Sequence, residues 1–342
     1  MSAPMGATPE TPLVEVILPA YNGSAVIRKA LDSAFAQDVP LRVIVVDDGS
    51  SDDSADIARS YGPRVTVIKQ ANRGVSGARN TGLAAAQAPY VALLDQDDIW
   101  KPGKLARQVK LMQGHPGVGL VFTDMILLES DGTIVEDGFL LTTPEYARLM
   151  RTPIGDGAYL LPEALAQAVV RFNFISPSTV LLRREAIQGA GGFDEAFRLC
   201  DDAECWMRLL ARCRGIAIEE RLVLSLIWEG NASLKRDKLI WERLRIGEKA
   251  ALRPELFAPG TADYFRNERP VSYYRLGVLA LHAGDVVTAR THLTESLRAK
   301  WSFTTALALA AAVLPAPLRD ACLRLKRAIG VRWAIRVKSD AL

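Results

Sequence analysis

Short apolar runs alternate with amphipathic stretches along the first third of the chain. Residues 14–18, 42–47, 64–69 and 91–94 are rich in Val, Ile and Leu, and each run ends in a polar cluster. The segments between these runs carry apolar residues at helical spacing. Runs that are apolar on both faces are typical of buried strands in a parallel sheet. The alternation therefore predicts an α/β fold, a mostly parallel sheet with right-handed crossovers and helices on both faces.

The pattern changes in the middle of the chain. Residues 118–129 and 133–136 flank Asp131-Gly132 and predict a hairpin, so the sheet is expected to become mixed. Residues 140–168 have no clear period and contain three prolines, which predicts a loop or short helices.

Beyond Ser233 the composition is that of helices. Residues 274–281 and 286–298 straddle Gly284-Asp285 and predict an antiparallel helix pair. The domains predicted from this organisation are a flexible N-terminus (1–12), an α/β domain (13–233) and a helical C-terminal region with a basic amphipathic tail (234–342).

The most informative pattern is the abrupt end of the fourth apolar run in Asp95, Asp97 and Asp98. If the backbone stays extended past Asp95, the side chains of Asp95 and Asp97 point the same way, because side chains alternate along a strand. Two converging carboxylates favour a divalent cation such as Mg²⁺ or Mn²⁺. The alternative is that Asp97 or Asp98 caps a helix beginning near residues 100–102.

Charge and hydropathy exclude some functions. The net charge is +3 over 342 residues, and basic residues crowd residues 318–338, so the rest of the chain is slightly acidic and no nucleic-acid partner is predicted. The tail 318–338 is predicted either to lie on an anionic membrane surface or to be a solvated basic helix packed on the domain. No signal sequence is visible in residues 1–12, and the apolar stretch 303–314 is too short to span a bilayer. A cytoplasmic protein is predicted, acting at the inner face of the membrane if the tail binds lipid.

Several motifs resemble those of family 2 glycosyltransferases with the GT-A (Rossmann-like) fold, and they follow the family's order over about residues 13–233. They are Leu18-Pro19-Ala20-Tyr21-Asn22, Val45-Val46-Asp47-Asp48-Gly49-Ser50, Ala78-Arg79-Asn80-Thr81-Gly82, residues 95–105, Gly191-Gly192-Phe193-Asp194-Glu195 and residues 201–209. The resemblance implies an inverting, metal-dependent enzyme. It would move a sugar from a nucleoside-diphosphate sugar, with a UDP-sugar favoured, to a hydroxyl of a saccharide or lipid-linked acceptor in surface glycan synthesis.

The resemblance also implies roles for individual residues. Those implied for the nucleotide are Pro19, Ala20 and Tyr21 in the nucleoside pocket, Asp48 on the base, Arg79 near the base or diphosphate, and Asp95 near the ribose or the metal. Asp97 is implied to be the main protein ligand of a Mn²⁺ or Mg²⁺ ion that bridges the two phosphates. Such an ion stabilises the charge that grows on the leaving nucleoside diphosphate.

The predicted helix after the Gly-Gly-Phe-Asp-Glu motif supplies a candidate general base. Asp202 shares a stripe of this helix with Trp206, whereas Asp201 lies with Glu204 and Arg208 on what is predicted to be the exposed face. A carboxylate on the inward stripe is costly unless it faces a cleft. Asp202 is therefore the predicted base, which is also the position that the family's acidic pair implies. The alternative is a helix cap.

Trp228 departs from the family pattern, because many members carry a histidine at this place. Trp228 and Trp100 are predicted acceptor contacts, with a packing role as the alternative for a buried aromatic. Two other classes of protein compete with the transferase. One is a nucleotide-sugar-binding module without catalysis, and the other is a nicotinamide dehydrogenase, which the lack of Gly-x-Gly-x-x-Gly after the first strand disfavours.

Overall fold

The computed structural model describes residues 12–227, 236–315 and 318. The chain divides into two compact units, one formed by residues 1–229 with 256–258 and the other by residues 230–255 with 259–342. The predicted domain boundary at residue 233 falls outside the described residues and stays a prediction.

The first unit is built on one mixed sheet of eleven strands within the described residues. The strands are β1 (Val14–Ala20), β2 (Leu41–Asp47), β3 (Val65–Lys69), β4 (Tyr90–Leu93), β5 (Asp98–Trp100), β6 (Val118–Glu129), β7 (Ile134–Asp137), β8 (Thr152–Gly155), β9 (Ala158–Leu160), β10 (Val180–Arg183) and β11 (Arg214–Ile227). Their order is β3-β2-β1-β4-β10-β6-β11-β9-β8, with β5 paired to β11 and β7 to β6. The predicted α/β class is confirmed.

Eight helices of the described chain belong to the first unit and four to the second. They are α1 (Ile27–Phe35), α2 (Ser54–Arg59), α3 (Gly74–Ala85), α4 (Lys104–Gly114), α5 (Pro144–Ala147), α6 (Leu165–Arg171), α7 (Arg184–Gly189), α8 (Asp201–Leu210), α9 (Arg236–Leu252), α10 (Thr261–His282), α11 (Val286–Ala299) and α12 (Phe303–Val313). None of these helices combines the length and the apolar character needed to span a bilayer.

The parallel part of the sheet sets the position of the site. Strands β3, β2, β1 and β4 are parallel neighbours, with Ala20 opposite Asp47 and Ile17 opposite Leu93. Every residue of β1 and β4 is buried, as expected for strands covered on both faces. Because parallel strands end at the same edge, the polar segments that follow β1, β2 and β4 meet there.

Antiparallel pairing dominates the other half of the sheet. Strand β10 lies antiparallel between β4 and β6, and β11 runs parallel to β6. The hairpin of β6 and β7 was predicted, whereas the β8–β9 hairpin and the 14-residue strand β11 were not. Strand β11 contains a run of charged residues at its bulge, between residues 219 and 221, which hides its apolar alternation from a sequence pattern.

The second unit contains the predicted helix pair, now seen as α10 and α11. Asp285 caps α11 by accepting a hydrogen bond from the backbone N–H of Thr288 at 3.0 Å. A small apolar core joins α10, α11 and α12 through Leu281, Leu293 and Ala308. The helical character predicted for this region is confirmed for its described residues.

Candidate active site

The acidic segment after β4 forms a tight turn. The backbone N–H of Asp98 donates to the carbonyl oxygen of Asp95 at 3.1 Å, and β5 then begins at Asp98. The expectation that an extended backbone carries Asp95 and Asp97 onto one face is therefore wrong. The helix-cap alternative is also wrong, because α4 starts later and its N-cap is Gly103, which has no side chain to accept a hydrogen bond.

The turn crowds three carboxylates. Burial, together with the charges of Asp95 and Asp97, raises the pKa of Asp98 to about 8. Asp98 is buried, whereas Asp95 and Asp97 are half-buried. Asp95 and Asp97 are therefore the two carboxyl groups that the turn presents to solvent. Such a pair of partly solvated carboxylates suits a hard divalent cation.

Arg79 on α3 joins this turn to the helix that carries the predicted base. Its Nη2 lies 2.8 Å from Oδ1 of Asp95, and its Nη1 lies 2.7 Å from Oδ2 of Asp201. The guanidinium is almost completely buried. Although burial acts in the opposite direction, Asp95 and Asp201 raise the pKa of Arg79 above its ordinary value, so it stays charged. The Nε atom of Arg79 is buried without a hydrogen-bond partner among the described residues.

The end of β1 is tied to the acidic turn through Gln96. The backbone N–H of Tyr21 donates to Oε1 of Gln96 at 3.0 Å, and Nε2 of Gln96 donates to the Tyr21 carbonyl at 3.2 Å. Pro19 and Ala20 are buried in the sheet, while the Tyr21 side chain is 51% exposed. The structure therefore brings these three predicted nucleoside-pocket residues beside the predicted metal ligands.

Asp48, directly after β2, organises the loop that leads into α3. Its carboxylate accepts hydrogen bonds from the backbone N–H groups of Arg73 and Gly74, at 2.9 and 2.8 Å, and from Nε2 of Gln70 at 2.7 Å. The backbone N–H of Asp48 donates to the carbonyl of Ala20 at 2.8 Å. Asp48 thus lies at the same sheet edge as the acidic turn, and it is buried.

Asp202 is the least buried residue of helix α8. Nine of the ten residues of α8 are buried, and Asp202 alone is half-buried. Its Oδ2 accepts a hydrogen bond from Nδ2 of Asn173 at 2.9 Å. Burial and the neighbouring charge of Asp201 raise the pKa of Asp202 to about 7, against the opposing effects of Arg79 and Asn173. A carboxylate with this pKa can take a proton near neutral pH.

The predicted exposed face of α8 is wrong. Asp201, Glu204 and Arg208 are all buried. Arg208 forms an ion pair with Glu204 at 2.6 Å and donates to the carbonyl of Gly192 at 2.6 Å, so it holds the Gly-Gly turn in place. Charged residues at helical spacing indicate a solvent-exposed helix face only when no oppositely charged partner is available inside the protein.

The residues present fit a divalent cation only in part. In the described ranges, no three His, Cys, Asp or Glu side chains form a ready metal cluster. One oxygen of Asp95 is already bound to Arg79. An ion held by Asp97 and Asp95 therefore needs further ligands from water and from a bound diphosphate, which is the usual coordination of Mg²⁺ with nucleotides.

Of the two tryptophans predicted to contact the acceptor, the structure describes only Trp100, and it is buried. Trp100 is 2% exposed, its indole Nε1–H donates to the carbonyl of Ser178 at 2.7 Å, and Nζ of Lys104 lies 4.1 Å from its ring centre. We therefore assign Trp100 to the core, which corrects the prediction that it contacts the acceptor. Trp228 lies outside the described residues.

Three polar residues of the site were not predicted. Gln96 links two strand ends, Ser178 accepts the backbone N–H of Asp95 at 3.0 Å, and Asn173 holds Asp202. Gln96 sits between the acids of the motif, and this position was the only signal for it. Asn173 follows the stretch without a clear period and Ser178 begins a run of strand character, and neither pattern indicates a role at the site.

Together, the parallel strand order, the acidic turn after β4 and the buried acidic helix define the GT-A class of fold. The sequence model described as Glycosyl transferase family 2 matches residues 15–132. Residues 15–132 therefore resemble this family, as the motifs of the chain indicated.

Relatives and solved structures agree with this class. The chain is 32% identical over 199 residues to the succinoglycan biosynthesis protein ExoO of Rhizobium meliloti, a match that covers 57% of the chain and 55% of ExoO. The mannosyltransferase PcManGT from Pyrobaculum calidifontis, in complex with GDP-Man and Mn²⁺, superposes with a TM-score of 0.55 at 22% identity over 94% of this chain and 81% of that one. S. aureus TarS 1–349 in complex with UDP-GlcNAc gives 0.60 at 19% identity over 92% and 87%.

The curated relatives are longer than the matched part. The chain spans 43%, 58% and 59% of the length of three uncharacterised glycosyltransferases from Rickettsia felis, Rickettsia prowazekii and Rickettsia typhi. At the identities of the solved structures, the likeness establishes the fold.

Proposed function

We propose that this chain is an inverting, metal-dependent glycosyltransferase that uses a nucleoside-diphosphate sugar, with a UDP-sugar favoured, and an acceptor hydroxyl on a saccharide or lipid-linked saccharide. One observation carries the proposal. Arg79 is bound to Asp95 of the acidic turn and to Asp201 beside Asp202, so a donor held at the turn would lie next to a carboxylate that can act as a base.

The nucleoside would bind at the end of β1 and β2. The exposed ring of Tyr21 offers a face for the base, and Pro19 and Ala20, which are buried at the end of β1, would lie behind it. A carboxylate has about four lone-pair positions, and the described partners of Asp48 supply three N–H donors. The remaining position suits an N–H of a pyrimidine or purine base.

The diphosphate would bind at the acidic turn together with the cation. Asp97, with the second oxygen of Asp95, would hold a Mn²⁺ or Mg²⁺ ion, which supplies charge stabilisation to the leaving nucleoside diphosphate. Arg79 would orient Asp95 by its ion pair, and it would not contact the base directly, because its guanidinium is almost completely buried between Asp95 and Asp201. This role modifies the one that the family resemblance implied for Arg79.

Asp202 would act as the general base. It would accept the proton of the acceptor hydroxyl as that oxygen forms a bond to the anomeric carbon, while the bond from this carbon to the phosphate oxygen breaks and its electron pair leaves with the nucleoside diphosphate. Attack from the side opposite the leaving group inverts the configuration. Asn173 would hold the carboxylate in position with its amide N–H.

The acceptor would be a growing glycan. ExoO is named for succinoglycan biosynthesis, and another relative, TuaG of Bacillus subtilis, is named as a putative teichuronic acid biosynthesis glycosyltransferase. These names favour a growing surface glycan as the acceptor. We also propose peripheral membrane contact through residues 318–338, a segment of which the structure describes only Leu318.

Thermal-shift measurements against a panel of nucleotide sugars, with and without Mn²⁺, test the donor. We expect one donor to raise the melting temperature in a Mn²⁺-dependent manner, and Asp97→Asn to remove the effect of Mn²⁺. Asp202→Asn should keep the donor shift and lose turnover. Equal turnover in Asp202→Asn would exclude it as the base, and donor binding with no turnover in the wild type, given acceptors extracted from the host, would favour the non-catalytic binding module.

A further inference from the structure

Helix α12 in the second unit has an apolar surface on its outer side. Its inner residues Ala308 and Ala312 belong to the small core shared with α10 and α11. Its outer side carries Phe303, 71% exposed, and Leu307, 55% exposed, one turn apart, and Leu314 continues the stripe just after the helix. A helix that is apolar all round is normally covered.

The segment that contains this stripe is uncharged, and basic residues flank it in the sequence. Residues 301–318 contain no charged residue, and Trp301, Val313 and Leu318 in this segment are exposed. The segment is preceded by Arg298 and Lys300, both exposed, and in the sequence it is followed by the basic residues Arg319, Arg324, Lys326 and Arg327. An uncharged apolar segment flanked in the sequence by cations is complementary to an anionic bilayer surface.

We propose that the outer surface of α12, with Trp301, docks in the interfacial layer of a membrane that contains anionic lipid. A helix of eleven residues rises about 16 Å, roughly half of the hydrocarbon thickness of a bilayer, so it must lie along the surface. Trp301 and Phe303 suit the headgroup boundary. A symmetric dimer through the same surface is disfavoured, because it would bring two sets of like basic borders together.

This inference adds a folded docking element to the membrane contact proposed for residues 318–338. It does not depend on which sugar is transferred. It is also independent of the donor site, since α12 belongs to the second unit and the residues proposed for the donor belong to the first.

Vesicle co-sedimentation of the full chain tests the proposal. The vesicles contain phosphatidylcholine with phosphatidylglycerol, or phosphatidylcholine alone. The test variant is Phe303→Ser with Leu307→Ser, and the matched control is Met150→Ser with Leu252→Ser, which removes two apolar side chains that are 88% and 80% exposed elsewhere. We expect the test variant to bind the anionic vesicles about tenfold more weakly or worse, because it loses two apolar anchors, and the control to bind like the wild type.

The other outcomes decide against the proposal. If the wild type does not sediment, or if the test variant sediments as well as the wild type, α12 is not the docking element. If the wild type binds vesicles of phosphatidylcholine alone as well as it binds the anionic vesicles, the proposed requirement for anionic lipid is wrong. Concentration-dependent dimers in analytical ultracentrifugation, lost in the test variant and without vesicle binding, would show that a second copy covers the surface. The melting temperature and the donor shift, measured on the same proteins, separate these results from misfolding and from a failure of the donor site.

Discussion

Asn173→Ala tests whether the hydrogen bond to Asp202 tunes the proposed base. The amide Nδ2 of Asn173 lies 2.9 Å from Oδ2 of Asp202, and this bond lowers a pKa that burial and Asp201 raise. A hydrogen bond to a charged group contributes about 1.5–3 kcal/mol, and one pKa unit corresponds to about 1.4 kcal/mol. Removing it should therefore raise the pKa of Asp202 by roughly one to two units.

The consequence is a shift of the acidic limb of the pH–rate profile. A base works in its unprotonated form, so activity is present above its pKa and is lost as the pH falls through it. With a wild-type pKa of about 7, the limb should move to about 8 or 9, and turnover at neutral pH should fall by roughly 5- to 50-fold, with recovery at higher pH. The assay is kcat/KM for donor consumption across pH, with the donor identified by thermal shift.

A control separates tuning of the base from a general loss of structure. Asn173 also accepts the backbone N–H of Ile175 at 3.2 Å, so its removal has a structural component. Asn80→Ala removes an amide that binds the carbonyl of Phe193 at 2.8 Å and serves as the matched change. A structural effect lowers the rate equally at every pH, as we expect for Asn80→Ala. If the acidic limb of the Asn173→Ala profile lies at the same pH as that of the wild type, Asn173 does not tune the pKa of the catalytic base.

Three further changes have defined expectations. Arg79→Met should cost about 3–5 kcal/mol in urea unfolding, because it leaves the carboxylates of Asp95 and Asp201 without their buried partner. Asp202→Asn should raise the melting temperature at pH 8, since the pKa of Asp202 is raised from 3.8 to about 7 on folding, and such a group lowers stability as the pH rises through that range. Burial lowers the pKa of Lys104 well below its usual value. Protonation of this amine is therefore less favourable in the folded than in the unfolded chain, and Lys104 destabilises the fold more as the pH falls. Lys104→Met should therefore raise the free energy of unfolding more at pH 6 than at pH 9.

The sequence predicted those parts of the fold that depend on local patterns. Strands β1, β2, β3 and β4 are uninterrupted apolar runs, and the helix pair of the second unit has clear helical spacing around Gly284. Strand β5 has three residues and exists because Asp98 pairs opposite Ser225 of the distant strand β11. No local pattern contains that pairing, so the turn at residues 95–98 could not be predicted.

The same limit explains the errors at the site. The helical stripe placed Asp202 inward and Asp201 outward, whereas the structure buries Asp201 and leaves Asp202 half-buried. Asn173 was missed because its role comes from a contact with α8 that only the folded chain creates. The buried pair of Glu204 and Arg208 was assigned to solvent because a helical pattern gives the charge of a residue and not the presence of an internal partner.

The charge balance around Arg79 explains why a cation fits the proposed reaction. The one guanidinium of Arg79 faces the carboxyl groups of both Asp95 and Asp201, and Asp97 lies in the same turn as Asp95, so acidic side chains outnumber basic ones here. Burial, together with neighbouring carboxylates, raises the pKa values of Asp98, Asp201 and Asp202, so this cluster accommodates negative charge poorly. A nucleoside diphosphate is itself an anion, and this cluster would repel it. A divalent cation at Asp97 would turn that repulsion into attraction, so donor affinity should depend steeply on the metal, while Asp202 remains available for the acceptor.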